Sequence, residues 1–182
     1  MREVDRRSKL SRRSFMAGAA TAVPAASIAA QTGLSVTSAW AEDGKSLDAP
    51  TLRTLCKVAR DVFPHDFLGD SYYITAVKPW DVKAAANPQI RTMLVEGVKR
   101  LNQDANDRHK SDYVDVAWEA DRVVLLQGVE HTQFFNTLRA DLVVSLYNQQ
   151  ELWPKFGYEG SSAELGGYIH RGFNDIDWLP KV

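Results

Sequence analysis

From Ser14 through Ala41 the chain carries no charged residue, and residues 1–13 before it are basic, with Arg2, Arg6, Arg7, Lys9, Arg12 and Arg13. A stretch of that length approaches the ~20 apolar residues that a membrane-spanning helix needs. It is interrupted, however, by Gly18, Pro24, Gln31 and Gly33 and by many Ser and Thr. It therefore reads as an export leader rather than a direct transmembrane anchor. Ala39-Trp40-Ala41 supplies the small-x-small pattern that a signal peptidase reads, just before the charged Glu42. This places residues 1–41 in the leader and leaves residues 42–182 to build the fold.

The run Ser11, Arg12, Arg13, Ser14, Phe15 resembles the twin-arginine export signal, in which paired arginines precede a hydrophobic residue two positions on. Arg6-Arg7 is a second pair without that context. The expected route is through the twin-arginine translocase and the expected destination is the periplasm. That route carries chains already folded in the cytoplasm, which usually means that a cofactor or a partner was installed first.

Without the leader, 16 basic groups of the chain's 22 face 21 acidic groups of its 23, a net charge of −5. Phosphate recognition needs clustered positive charge, so nucleic acid is disfavoured as a partner. The overall composition, 45% hydrophobic and 25% charged, is that of an ordinary globular chain with one core.

Helical periodicity dominates residues 42–151. Leu52, Leu55, Cys56, Ala59, Val62 and Phe63 form one stripe of a helix that starts around Asp48 to Pro50 and stops before Pro64. Tyr73, Val77 and Trp80 recur at helical spacing in a segment that Pro79 breaks or kinks. Asn87-Pro88 reads as a cap and first position of a firmer helix, with Ile90, Met93, Leu94, Val98 and Leu101 inward, fading near Asp104 into a polar surface connection. Val116–Val129 and Thr132–Tyr147 read as two further helices, the last with Phe134, Phe135, Leu138, Leu142, Val143 and Leu146 on its inner face. No segment alternates with period two as a partner strand would. The expected fold is all-α, a small compact helical bundle.

Past Tyr147 the pattern changes. Residues 152–180 hold five of the 11 glycines together with Trp153, Phe156, Tyr158, Tyr168, Phe173 and Trp178. Large aromatics at this density argue against disorder, so residues 152–182 read as an irregular tail that wraps either its own helices or a partner.

Signatures of resident chemistry are sparse. GxGxxG, the P-loop, CxxCH and cysteine clusters are all missing. Nothing in the chain suggests a cofactor or metal of its own, and no catalytic residue is assigned. The four histidines, His65, His109, His131 and His170, lie too far apart in sequence to share a helix face. His65-Asp66 is the most enzyme-like pair, a base beside a carboxylate, although Asp66 capping the next segment and His65 bonding backbone is the simpler reading. Asn174, Asp175 and Asp177 cluster oxygen ligands without EF-hand spacing. The single Cys56 lies on an apolar stripe and reads as a buried small hydrophobe.

The twin-arginine signal, a helix closing in RDVFPHD and a tail running LWPKFGYEG…GGYIHRGFNDIDWLP resemble the gluconate 2-dehydrogenase small (gamma) subunit family. What the resemblance implies is a non-catalytic small subunit of a membrane-associated complex. Its partner would be a large FAD-dependent dehydrogenase of the glucose-methanol-choline type, acting on an alcohol, sugar or sugar acid. A multihaem cytochrome c would place haem c in a third subunit. The small subunit would escort its folded, leaderless partner through export and hold it at the periplasmic face of the inner membrane.

Trp153, Gly157, Tyr158, Gly160, Gly166, Gly167, Tyr168, Asp177 and Trp178 match the tail pattern and are the expected partner contacts. Some relatives bridge subunits through a cysteine, for which Cys56 on an apolar helix face is poorly placed. Two other classes compete. A periplasmic carbohydrate-binding module would use the tail aromatics as a stacking platform, and a stand-alone enzyme would use His65 and Asp66.

Overall fold

The computed structural model describes residues 38–171 and 173. The chain divides into two units, Met1–Thr32 and Gly33–Val182, and every described residue belongs to the second. Six α-helices follow one another: α1 (Ser38–Ala41), α2 (Ala49–Val62), α3 (Asp70–Ala86), α4 (Pro88–His109), α5 (Glu119–Gln127) and α6 (Gln133–Tyr147). Short 3-10 segments at Tyr113–Asp115 and Gln150–Phe156 complete the described elements, which include no strand. The all-α expectation holds.

Helix α2 is the axis of the packing and touches each of the other five helices. Its start follows from Asp48, whose side chain accepts the Thr51 N–H at 3.1 Å, and from Pro50, whose missing N–H is no loss in a first turn. The stripe Leu52, Leu55, Cys56 and Ala59 is buried as the periodicity requires. Thr51, Thr54, Val58 and Asp61 are buried as well, because neighbours cover more than one face of this helix.

Helix α3 runs unbroken through Pro79. The proline lies on the exposed side, opposite the buried Tyr73, Ala76, Val77, Trp80 and Ala84, so the carbonyl that loses its intrahelical donor faces water. Helix α4 begins where the sequence places it, with the Asn87 side chain accepting from Gln89 and Ile90 N–H groups. It does not fade near Asp104 but continues to His109, because Ala105 is a fully buried contact one turn beyond Leu101. Lys110 then leaves the helix at φ 59°, in the left-handed region.

The fourth predicted helix is shorter than expected. Tyr113–Asp115 forms a 3-10 turn and α5 begins only at Glu119. The cause is a buried network. Arg122 spans to Asp61 of α2 through Nε and Nη2 at 2.7 and 2.9 Å, while its Nη1 donates to the Val116 and Ala117 carbonyls at 2.7 and 3.2 Å. Carbonyls captured by a guanidinium need no helix to satisfy them. Tyr113 donates its hydroxyl to the same Asp61 carboxylate at 2.7 Å. Burial alone would lower the Arg122 pKa, but the hydrogen-bonded Asp61 outweighs it and holds the guanidinium charged.

Helix α6 starts at Thr132, whose hydroxyl accepts the Phe135 N–H at 3.3 Å, and buries Phe134, Leu138, Leu142 and Leu146. Val143, expected on the inner face, is instead 50% exposed beside Val144 at 62%. No helix among the described residues is long and apolar enough to cross a membrane.

Candidate functional site

The exposed valines of α6 form one wall of an open groove of about 550 Å³, lined by Val143, Val144, Tyr147, Asn148, Trp153, Phe156 and Tyr158. Its other wall comes from the 3-10 segment and the turn that follows. Trp153 anchors that wall: its indole N–H donates to the Tyr147 carbonyl at 3.0 Å, satisfying an orphan acceptor at the end of α6. Tyr158 N–H returns to the Trp153 carbonyl at 2.8 Å, and the two rings meet edge to face at 5.2 Å. Gly157 permits the reversal with φ 71°, and Gly160 lies under the Trp153 ring, where a Cβ would approach to 3.4 Å.

Phe156 ties the groove to the loop between α2 and α3. Its ring packs edge to face on His65 at 5.0 Å, on Phe67 at 5.4 Å and on Tyr147 at 5.5 Å. His65 Nε2 and the Tyr147 hydroxyl share a hydrogen bond of 2.7 Å. Desolvation lowers the His65 pKa and raises that of Tyr147, so both groups are held neutral. The result is a mainly apolar, aromatic surface with the neutral His65–Tyr147 pair at its base and Asn148 on its lining.

The His65-Asp66 pairing is not what the loop provides. The His65 ring engages Tyr147, the His65 backbone N–H donates to the Tyr73 hydroxyl at 3.2 Å, and Asp66 is exposed. Nor does Asp66 cap α3, whose N-cap is Gly69 without a side-chain bond. Among the described residues no group of three or more His, Cys, Asp or Glu could hold a metal ion.

Of the expected contact residues, Trp153, Gly157, Tyr158 and Gly160 come together at the groove. Gly166 and Gly167, at φ 81° and 79°, form a separate turn leading to Tyr168, which is 57% exposed with Arg171 stacked 5.6 Å from its ring centre. Asp177 and Trp178 lie outside the described residues, as do Asn174, Asp175 and the export residues Ser11, Arg12, Arg13 and Phe15. Ala39 falls in α1, and Ala41 ends that helix with 1% exposure. Thus Trp40 and Ala41, on the leader side of the expected boundary, are part of the helical packing.

Cys56 is buried and free, and desolvation pushes its thiol pKa up to about 12. A thiol so placed is a poor nucleophile.

Sequence reasoning named Phe156 as a tail aromatic and His65 as a candidate base but did not bring them together, and it did not place Val143, Val144, Tyr147 or Phe67 at this surface. The legible signal was Phe67, an apolar residue in the loop after Pro64 with no helical stripe to serve. No family model, characterised protein or solved structure matches this chain.

Proposed function

We propose that this chain is a non-catalytic small subunit of a periplasmic FAD-dependent dehydrogenase complex, and that the groove is its contact with the large catalytic subunit. The observation that carries the reading is the state of the tail. Its aromatics could have closed the chain's own core, but among the described tail residues Trp153 is half-buried and Phe156, Tyr158, Tyr168 and Phe173 are 40, 48, 57 and 78% exposed. An exposed row of aromatics with two unpartnered valines is the composition of an interface core rather than of a solvated surface. The bonds from the Trp153 indole to the Tyr147 carbonyl and from the Tyr158 N–H to the Trp153 carbonyl hold this part of the tail in shape, which limits the entropy lost on docking.

The leader supplies the second support. An export signal of the twin-arginine type belongs with cargo folded before transport, and an escort brings such cargo by binding it. Arg12 and Arg13 would engage the translocase, the groove the flavoprotein. FAD would reside in that partner and haem c in a third subunit, with the complex held at the periplasmic face of the inner membrane.

The test is purification of the tagged chain from the periplasm of its native host, with mass spectrometry of co-eluting chains and an absorbance spectrum. A stoichiometric large partner with oxidised-flavin bands is the expected result. A colourless monomer would overturn the proposal, and saturable tryptophan quenching by sugars in that monomer would establish a carbohydrate-binding module instead. Replacing Arg12 and Arg13 by lysine should strand the flavoprotein in the cytoplasm.

A further inference from the structure

The junction between leader and domain is bound into the fold. Ala41 is 1% exposed at the end of α1, and the chain turns directly across the following bond. The Asp43 and Gly44 N–H groups donate back to the Trp40 and Ala41 carbonyls, both at 3.3 Å. Gly44 is packed so closely that a Cβ would meet the Leu47 carbonyl at 2.5 Å and Leu52 Cδ1 at 2.7 Å.

A carboxylate clamp follows at once. The N–H groups of Lys45, Ser46 and Leu47 converge on the buried Asp81 of α3 at 2.8, 2.9 and 2.8 Å. Arg91 of α4 donates from Nε to the Ser46 carbonyl at 3.1 Å, and Arg53 of α2 pairs with Glu42 at 3.3 Å. Residues 41–47 are therefore fastened to three helices within seven positions of the expected cleavage point.

A protease takes its substrate as an extended strand laid along a cleft, with backbone groups free to pair. Hydrolysis at Ala41–Glu42 adds water across that amide, leaving a carboxylate on Ala41 and an amine on Glu42. In the folded domain the residue before the bond lies in the core, and after it the exposed residues 43–45 and the following Ser46 and Leu47 have their backbone N–H groups bonded. Cutting there requires local opening, and its rate follows the population of the opened form.

We propose that the folded domain occludes the Ala41–Glu42 bond, so that the exported chain keeps Ser38–Ala41 as its first helix and any leader processing falls N-terminal to Ser38. The inference rests on the leader reading for its biological setting and on the packing alone for the occlusion. A chain exported folded would present the occluded form to the peptidase. The sequence offers a further small-x-small triplet upstream, Ser27-Ile28-Ala29.

Two measurements on the full-length chain test the proposal. Elastase, which accepts small residues such as alanine in its specificity pocket, serves as the probe. Ala163, exposed in the tail, is an internal control for cutting after alanine. In native buffer the Ala163–Glu164 bond should be cut while no fragment beginning at Glu42 appears. Asp81→Asn and Gly44→Ala should each raise cutting at Ala41–Glu42 by about tenfold or more and leave the control bond unchanged. Wild-type cutting at Ala41–Glu42 as fast as at the control would overturn the occlusion.

The second measurement is the intact mass of the chain recovered from the host's periplasm. An N-terminus upstream of Ser38 is expected, and one at Glu42 would overturn the proposal. A chain confined to the cytoplasm would sink the leader reading, and the elastase result would still decide the occlusion.

Discussion

The molecule places polar groups among aromatics twice, with opposite outcomes. Around Asp61, Arg122 and Tyr113 every charged atom is buried and bonded, the side chains of Arg122 and Asp61 retaining 6 and 2% exposure. Around His65, Tyr147 and Phe156 the polar pair is neutral and the ring surfaces lead outward into the groove. A fully satisfied ionic network has no valence left for a ligand and serves to fix α2 against α5. A mainly apolar surface whose His65–Tyr147 pair is already satisfied loses little when water leaves it, which suits it to be covered. The contrast separates what holds this chain together from what it offers to others.

The largest expected break of that contrast is Arg122→Met. Removing the guanidinium strands a buried Asp61 carboxylate and frees the Val116 and Ala117 carbonyls, so the domain should lose about 3–5 kcal/mol, read as a lowered urea midpoint at unchanged slope. The double variant Arg122→Met with Asp61→Leu should recover part of that loss, because the uncompensated charge is then gone while the Tyr113 hydroxyl and the two carbonyls stay without their partners.

Next in size is Gly97→Ala in α4. Helix propensity alone would favour alanine by about 1 kcal/mol. A Cβ at Gly97, however, would overlap the Phe134 ring of α6, and overpacking of that kind costs about 1–3 kcal/mol or more. The clash should win, giving net destabilisation by thermal melting. Phe134→Leu in the same chain should reverse the sign of the alanine effect.

These core effects were only partly legible in the sequence. The stripe through Leu52, Leu55, Cys56 and Ala59 and the caps at Asp48, Asn87 and Thr132 are local, and local chemistry reads well from one segment. The shortening of α5 was not legible, because its cause, Asp61, lies 61 residues from Arg122. The run through Pro79 was hidden for a different reason. Whether a proline ends a helix depends on which side faces water, and that is set by packing. At the groove, Trp153, Tyr158 and their glycines stood out by composition. Val143 and Val144 did not, since an exposed valine on an amphipathic helix resembles a buried one until its neighbours are placed.

Acid acts on the junction through Asp81. Burial alone would raise the Asp81 pKa, but the N–H groups of Lys45, Leu47 and Ser46 outweigh it and hold the carboxyl below its ordinary 3.8. The folded state therefore prefers the ionised form. That contribution is fully present above about pH 3.8 and is lost as pH falls from there through the folded value. Protection of the Lys45–Leu47 amides, their exchange relative to the intrinsic rate at each pH, should fall across that window, and Asp81→Asn should remove that change.

The groove should respond in the opposite pattern, with small stability effects and large binding effects. Val143→Ser with Val144→Ser removes apolar surface that is already half or more exposed, so stability should change by less than about 1 kcal/mol. If the groove is the proposed interface, recovery of the proposed flavoprotein partner on the tagged chain should fall by about tenfold or more. Loss of stability without loss of partner would move these valines to the structural side of the comparison.

The smallest effect belongs to His65 and sharpens the same distinction. Desolvation favours its neutral form, so the unfolded chain takes up a proton near the ordinary pKa of 6.5 before the folded one does. Stability should decline gently as pH drops below 6.5 and level off once the folded imidazole is also charged, and His65→Gln should flatten that slope. A partner seated in the groove would remove more water from His65 and Phe156, lower the imidazole pKa further and steepen the decline. A slope that grows when the partner binds thus reports cover over the groove, whereas one that stays constant would place the partner elsewhere.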